Sequence, residues 1–123
     1  MAGLNRIAQI AINVQDLKRA TAFYRDVLGL PLLFEVPNLA FFDCGGIRLM
    51  LGRAEKPEFD HPGSILYYQV NDIRAAHADL VRQGVTFEDA PHVVAPLGAN
   101  DLWMTFCHDS EGNLLALTAE IPR

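Results

Sequence analysis

The stretches Gln9-Ile-Ala-Ile-Asn-Val-Gln-Asp-Leu-Lys-Arg-Ala20 and Ile65-Leu-Tyr-Tyr-Gln-Val-Asn-Asp-Ile-Arg-Ala-Ala76 share one pattern of residues. Each opens with β-branched or aromatic residues, which favour a strand. Each then reaches an aspartate, Asp16 or Asp72, whose carboxylate can accept N–H bonds at the start of a helix. This repetition predicts that the chain contains two copies of a strand-then-helix unit.

The region after each aspartate predicts an amphipathic helix that ends at a glycine. Apolar residues recur at helical spacing in both copies, and Gly29 and Gly84 suit the left-handed conformation after a helix end. Three further strands are expected after each helix. Those of the first half lie at about 30–36, 38–43 and 46–52, and those of the second at about 85–90, 100–108 and 113–119.

Turn-forming residues separate these strands. Gly45-Gly46 and Asp109–Asn113 predict tight turns, and Pro91–Ala99, which contains two prolines, predicts an irregular loop over the second sheet. We therefore expect an α+β fold of two βαβββ modules, with curved mixed sheets and helices outside. The predicted organisation is one domain over residues 1–123, with modules at about 1–52 and 64–123 and a linker at about 53–63.

The composition is that of a globular domain. Half of the 123 residues are hydrophobic, the net charge is −5, and Lys and Arg form no cluster. A nucleic-acid partner is not expected, because phosphate contacts need a basic face. No apolar run approaches the roughly 20 residues that span a bilayer, so no membrane partner is expected. Cys44 and Cys107 are isolated and are predicted to be reduced thiols, in keeping with a cytoplasmic location.

Two further motifs resemble a known family. Ile10-Ala-Ile-Asn-Val-Gln-Asp-Leu17, followed by Ala22-Phe-Tyr-Arg-Asp-Val-Leu-Gly-Leu30, resembles the opening signature of the glyoxalase/bleomycin resistance protein/dioxygenase superfamily, also called the vicinal oxygen chelate superfamily. Asp109-Ser-Glu-Gly-Asn113-Leu-Leu-Ala-Leu117 resembles its closing turn and strand, although the usual turn is Asp-Pro-Asp-Gly-Asn. The resemblance covers nearly the whole chain. It implies a cavity under each curved sheet and, as in many members, a homodimer.

The resemblance also implies four metal-ligand positions, which usually carry His, Glu or Gln. They fall here on Gln9, on Arg48 or Met50, on Ile65 and on Ala116. Only Gln9 offers an oxygen that suits a divalent ion, and a lone neutral amide does not hold such an ion against water. We therefore expect no metal and no other cofactor. A divalent metal held by unexpected ligands is the alternative.

The alternation of side chains along a strand indicates which residues line the cavity. The predicted lining is Gln9, Ala11, Asn13, Arg48 and Met50 in the first module, and Ile65, Tyr67, Gln69, Leu114 and Ala116 in the second. The candidate ligand contacts are Gln9, Asn13, Arg48, Met50, Tyr67 and Trp103.

Two of these candidates carry specific expectations. Arg48 is expected to attract an anion such as a substrate carboxylate, and the alternative is a solvated arginine at a sheet edge. Trp103 is a candidate for stacking on a planar ligand, and the alternative is a place in the core or in a dimer interface.

His92 is the candidate catalytic residue. It begins the predicted Pro91–Ala99 loop. If that loop covers the mouth of the cavity, the imidazole can act as a general base or donate a hydrogen bond to a ligand. The alternative is a histidine on a surface loop.

Three functions stay open. The favoured one is a protein with a metal-free cavity that binds a small organic ligand, anionic or planar. The second is an enzyme of the same superfamily, namely a lyase, isomerase or dioxygenase that uses a metal or His92 as base. The third is an interaction module whose pocket is filled by its own side chains. The sequence does not identify the ligand, because fold does not determine function.

Overall fold

The computed structural model describes residues 2–54 and 56–123. The chain divides into two compact units, with the boundary between Gly63 and Ser64. Each unit runs in the order strand, helix and three strands, and its described residues form one four-stranded mixed sheet. The predicted α+β fold with two βαβββ modules is confirmed.

The first unit contains β1 (Gln9–Asn13), α1 (Leu17–Ala22), β2 (Leu32–Val36), β3 (Leu39–Cys44) and β4 (Ile47–Gly52). A π-helical turn, Phe23–Val27, continues α1, and a 3₁₀ turn, Pro57–Phe59, follows the sheet. The strand order is β1-β4-β3-β2. β1 is parallel to β4, and the other neighbours are antiparallel. β1 and β2 are therefore the two edges of this sheet.

The second unit contains β5 (Leu66–Gln69), α2 (Ile73–Arg82), β6 (His92–Leu97), β7 (Asn100–His108) and β8 (Leu114–Pro122). The strand order is β5-β8-β7-β6, with β5 parallel to β8 and the other neighbours antiparallel. The second sheet thus repeats the topology of the first.

The predicted aspartates begin both helices. Asp16 Oδ1 accepts a 3.0 Å hydrogen bond from the backbone N–H of Arg19, and Asp72 Oδ1 accepts a 3.1 Å bond from that of Ala75. The first N–H groups of a helix have no partner within it, so each carboxylate satisfies one of them. Gly84 follows α2 with a φ of 89°, a conformation that glycine adopts without strain.

Each helix packs on one face of its own sheet: α1 contacts β3 and β4, and α2 contacts β7 and β8. The strand residues of this face are buried: Ala40, Phe42, Leu49 and Leu51 in the first unit, and Thr105, Cys107, Leu115, Leu117 and Ala119 in the second. Because side chains alternate along a strand, the residues directly before and after these buried ones point to the opposite face. We call this opposite face the open face of each sheet.

The segment before β7 differs from the prediction. The predicted strand at 85–90 and the predicted loop Pro91–Ala99 are both wrong, because the strand of this region is β6. Residue Phe87 makes only an isolated bridge to Cys107. β6 is an edge strand, which tolerates Pro96, and a bulge between Val93 and Ala95 interrupts its register.

Two expectations from composition can be compared with the structure. Cys44 and Cys107 are free thiols, as predicted, and burial raises the pKa of the Cys107 thiol to about 11. Among the described residues, no helix is long and apolar enough to cross a bilayer.

Asp109 organises the turn between β7 and β8 from a nearly fully buried position. Its Oδ1 accepts 2.8 Å hydrogen bonds from the backbone N–H groups of Glu111 and Asn113. Its Oδ2 accepts a 2.9 Å bond from Asn113 Nδ2. Gly112, with a φ of 83°, completes the turn. One carboxylate therefore satisfies several donors that would otherwise be left without partners.

We predict that Asp109→Ala lowers the free energy of unfolding by about 3 kcal/mol, because it leaves these donors unsatisfied. The control is Asp60→Ala, at an exposed residue of the first unit, which should change stability by less than about 0.5 kcal/mol. Urea denaturation followed by circular dichroism measures both changes. Equal effects of the two substitutions would contradict the role assigned to Asp109.

Candidate ligand-binding site

The open face of the first sheet presents its side chains in rows, because register partners on neighbouring strands share a face. The polar row consists of Gln9 on β1, Arg48 on β4 and Asp43 on β3. The aromatic row, two residues along, consists of Ala11, Met50, Phe41 and Phe34. The end row consists of Asn13, Gly52, Leu39 and Val36.

The polar row is held by hydrogen bonds between exposed side chains. Arg48 Nε donates to Gln9 Oε1 over 3.2 Å, and Gln9 Nε2 donates to Met50 Sδ over 3.7 Å. Arg48 makes no ion pair with any residue that the structure describes. Asp43 lies directly across from Arg48, but its Oδ1 accepts a 3.2 Å bond from the N–H of Gly46. The guanidinium therefore keeps donors for an external anion.

The aromatic row contains a stacked pair that the sequence analysis missed. The rings of Phe34 and Phe41 lie 4.5 Å apart between centroids, with 22° between their planes, and Phe34 is 48% exposed. Strict alternation from Leu32, which pairs with buried Phe42, would put Phe34 on the helix-covered face. A bulge between Leu32 and Phe34 turns the ring to the open face instead.

Other parts of the first unit contact the side chains of the end row. Asn13 Nδ2 donates to the carbonyl oxygen of Phe59, in the 3₁₀ turn that follows the sheet. The Leu39 side chain lies over Gly52, where an added Cβ would come within 2.6 Å of Leu39 Cδ2. Asn13, a predicted ligand contact, thus holds the turn at the β1 edge.

The open face of the second sheet combines apolar and polar side chains. It carries Tyr67 and Gln69 of β5, Leu114, Ala116 and Thr118 of β8, Met104, Phe106 and His108 of β7, and His92 of β6. Tyr67 is 49% exposed, and its ring packs edge-on against Phe106 with centroids 5.8 Å apart. Ile65 precedes β5 and lies outside the strand.

Residues 6–117 match the family model of the Glyoxalase/Bleomycin resistance protein/Dioxygenase superfamily. The chain belongs to this superfamily. The resemblance seen in the sequence is thereby confirmed. Among curated proteins, the uncharacterized protein YraH of Bacillus subtilis (strain 168) is 31% identical over 101 residues, which cover 71% of this chain and 79% of that protein.

Solved structures of the superfamily share the fold. A member from Sphaerobacter thermophilus DSM 20745 has a TM-score of 0.80 at 25% identity, covering 95% of this chain and 98% of that one. TnmS3, an antibiotic binding protein from Streptomyces sp. CB03234, has a TM-score of 0.75 at 23% identity, covering 98% of this chain and 99% of that one. At this identity, the likeness to TnmS3 concerns the fold alone.

The superfamily's metal positions carry residues that do not fit a divalent ion. Gln9 Oε1 accepts from Arg48, so an ion on that oxygen would lie beside a fixed positive charge. Met50 offers only a thioether, and Ile65 and Ala116 offer hydrocarbon. Nowhere in residues 2–54 and 56–123 do three or more His, Cys, Asp or Glu side chains form a group that could hold a metal.

Trp103 requires a correction. It pairs with buried Ala119, which places it on the helix-covered face of the second sheet. The guanidinium of Arg74, on α2, lies 5.0 Å from the centroid of its ring. Tyr67 points to the opposite face, so Trp103 and Tyr67 do not share a ligand-binding surface of that sheet. The alternation of β7 places Met104 and Phe106 on the open face and therefore excludes Trp103.

His92 is also placed differently from the prediction. It begins the edge strand β6 rather than a loop, opposite Met104 on the open face. Its Nδ1 lies 2.9 Å from the carbonyl oxygen of Ala90 and 3.7 Å from Asp89 Oδ2. The proposed loop over a cavity mouth is absent from this described segment. The role of His92 as a base stays a prediction.

His108 and Glu88 form a contact that the sequence patterns do not indicate. His108 Nε2 lies 2.7 Å from Glu88 Oε2. The hydrogen bond to Glu88 raises the pKa of His108, while partial burial opposes this effect. The spacing of the two residues gives no hint of this pair, since it depends on the short bridge at Phe87.

We predict that Glu88→Gln lowers the pKa of His108 toward its usual value near 6.5. Because folding raises this pKa, the pair stabilises the fold fully below the unfolded pKa, and the effect is lost as pH rises through the folded pKa. NMR titration of His108 and urea denaturation at several pH values measure the two effects. Glu58→Gln, at an exposed residue, is the control. An unchanged His108 titration in Glu88→Gln would contradict the prediction.

Proposed function

We propose that this protein binds a small organic ligand without a metal, and that Arg48 anchors an anionic group of that ligand. The hydrogen bond between Arg48 and Gln9 carries the proposal. It joins Gln9 to Arg48, and the resemblance to the superfamily implies metal-ligand positions at Gln9 and at Arg48 or Met50. A guanidinium there attracts an anion, whereas a carboxylate there would attract a cation.

The surroundings of Arg48 support this proposal. The open face combines a few polar side chains with apolar ones, as small-molecule sites generally do. Gln9 fixes the guanidinium through Nε, so the outer nitrogens stay directed to other acceptors. The edge formed by Nη1 and Nη2 can still donate a pair of hydrogen bonds to a carboxylate.

The comparison with TnmS3 adds support of a different kind. That protein is an antibiotic binding protein, and it shares this fold over nearly the full length of both chains. A chain of this architecture can therefore bind a small molecule. From this comparison we infer only that the present protein binds a small molecule. We do not infer a particular antibiotic. The homodimer and the cytoplasmic location expected from the sequence stay predictions.

An enzyme that uses acid–base chemistry without a metal is the second candidate. Two histidines on the open face of the second sheet favour it, His92 near Asp89 and His108 beside Glu88. Imidazoles paired with carboxylates are common proton-transfer groups. Both pairs are at least partly exposed and also fasten the segment between α2 and β7, so we rank this candidate below ligand binding.

We predict that Zn²⁺, Ni²⁺, Mn²⁺ and Fe²⁺ leave the melting temperature unchanged and that purified protein contains far less than one metal per chain. An ion that bound only the folded state would raise the melting temperature of the protein. Elemental analysis and thermal-shift titration measure the two properties. One metal per chain, with a rise in melting temperature that Gln9→Ala abolishes, would contradict metal-free binding.

A screen of small anions and their neutral analogues tests the role of Arg48. Compounds that raise the melting temperature are expected to be mainly anions, and Arg48→Gln should remove their effect. Arg53→Gln, at another exposed arginine of the first unit, is the matched control and should change nothing. Stabilisation that is equal in the wild type and in Arg48→Gln would contradict the anchoring role.

A further inference from the structure

We propose that the ligand of the first sheet is an aromatic carboxylate, with its ring on the Phe34–Phe41 pair and its carboxylate on Arg48. This inference rests on the proposed function and names the ligand class for the same face. It adds Phe34 and Phe41, which neither the sequence patterns nor the superfamily positions indicate.

The stacked pair provides a surface for a planar ring. Phe34 lies on the edge strand β2, is nearly half exposed, and backs onto Phe41 in an offset stack. A large exposed aromatic side chain costs free energy in water, and a ligand ring that covers it recovers part of that cost. Val36, on the same strand and the same face, is 43% exposed and extends the apolar surface.

The distance between the ring surface and the charge limits the size of the ligand. Arg48 pairs with Asp43, and Phe41, two residues before Asp43, pairs with Met50. Arg48 and Phe41 are therefore diagonal neighbours on adjacent strands. Residues in this arrangement lie roughly 7–8 Å apart. One or two fused rings with a directly attached carboxylate span such a gap, since the arginine side chain is long and flexible.

Met50 connects the two ends of this surface. It lies between Ala11 and Phe41 across the sheet, and its sulfur accepts the weak hydrogen bond from Gln9. A thioether adapts its shape to a neighbouring ring and packs favourably against the ring edge. The floor of the proposed site is therefore apolar, and Gln9, Arg48 and Asp43 lie together at one end of it.

Arg48 stays available to an anion although Asp43 lies across from it. The Asp43 carboxylate accepts from the Gly46 N–H at the hairpin, and the described residues show no ion pair between it and Arg48. A carboxylate ligand can thus reach Arg48 without displacing an existing ion pair. Asp43 still lowers the local positive potential, so Asp43→Asn should tighten the binding of an anion about threefold.

The experiment compares four related probes by isothermal titration calorimetry with the full-length protein. 2-Naphthoate has both the ring and the charge, 2-naphthamide lacks the charge, decalin-2-carboxylate lacks the aromatic ring, and 2-naphthylmethylamine reverses the charge. We expect 2-naphthoate to bind about tenfold more tightly than the amide, since hydrogen bonds to a charged group are strong. It should bind about fivefold more tightly than the decalin acid.

Variants separate the contribution of Arg48 to binding from that of the Phe34–Phe41 pair. Arg48→Gln should remove the preference for the acid over the amide and keep the preference for the aromatic ring. The double substitution Phe34→Leu with Phe41→Leu should remove the preference for the aromatic ring and keep the preference for the acid over the amide. Arg53→Gln and Phe59→Leu are the matched controls, because Phe59 is equally exposed but is held at the β1 edge, away from the aromatic pair.

A second measurement uses only the wild-type protein, so it does not depend on the folding of any variant. NMR should show intermolecular NOEs from the protons of 2-naphthoate to the ring protons of Phe34 and Phe41. Contacts to other residues instead would overturn the assignment. So would equal affinity for acid and amide, or tighter binding of 2-naphthylmethylamine. Concentration-dependent shifts of Phe34 without probe binding would assign the face to a second copy of the chain and also overturn it.

The outcomes distinguish this inference from the function on which it rests. If none of the four probes binds while other small molecules raise the melting temperature, the aromatic carboxylate is wrong and metal-free binding stands. If a divalent metal binds in stoichiometric amount at Gln9, the proposed function itself is wrong.

Discussion

The parallel pairing of β1 with β4 determines what the first sheet can do. Its register puts Gln9 beside Arg48, and Ala11 beside Met50, on the face that α1 does not cover. A shift by one residue would bring Ile10 and Ile12 to that face and bury the polar side chains under the helix. The apolar side chains of Ile10 and Ile12 therefore favour the observed register, in which they pair with buried Leu49 and Leu51.

Much of the fold could be predicted because its signals are local. Asp16 and Asp72 cap their helices by bonding to residues three positions later, and Gly45-Gly46 forms a turn between adjacent strands. The shared face of Gln9 and Arg48 follows from alternation along two regular strands. The contact between their side chains was not foreseen, although both residues were candidates.

The failures occur where the regular pattern is interrupted by tertiary structure. A bulge in β2 reverses the face of Phe34, and a bulge in β6 lets a segment with two prolines form an edge strand. Trp103 was misplaced because its chemistry was considered without the alternation of β7, which pairs it with Ala119. Bulges depend on the partner strand, so a single sequence gives weak signals of them.

We propose that Arg48 and Gln9 form an anion site at positions where the resemblance to the superfamily implies metal ligands. NMR of the Arg48 side chain tests this claim most directly, by following its Nε–H signal and the Gln9 amide signals during titration with Zn²⁺. If Arg48 and Gln9 form this site, we expect an NOE between the two side chains and no change in their signals at excess Zn²⁺. Loss of that NOE, with saturable shifts of the Gln9 amide at one Zn²⁺ per chain, would contradict it.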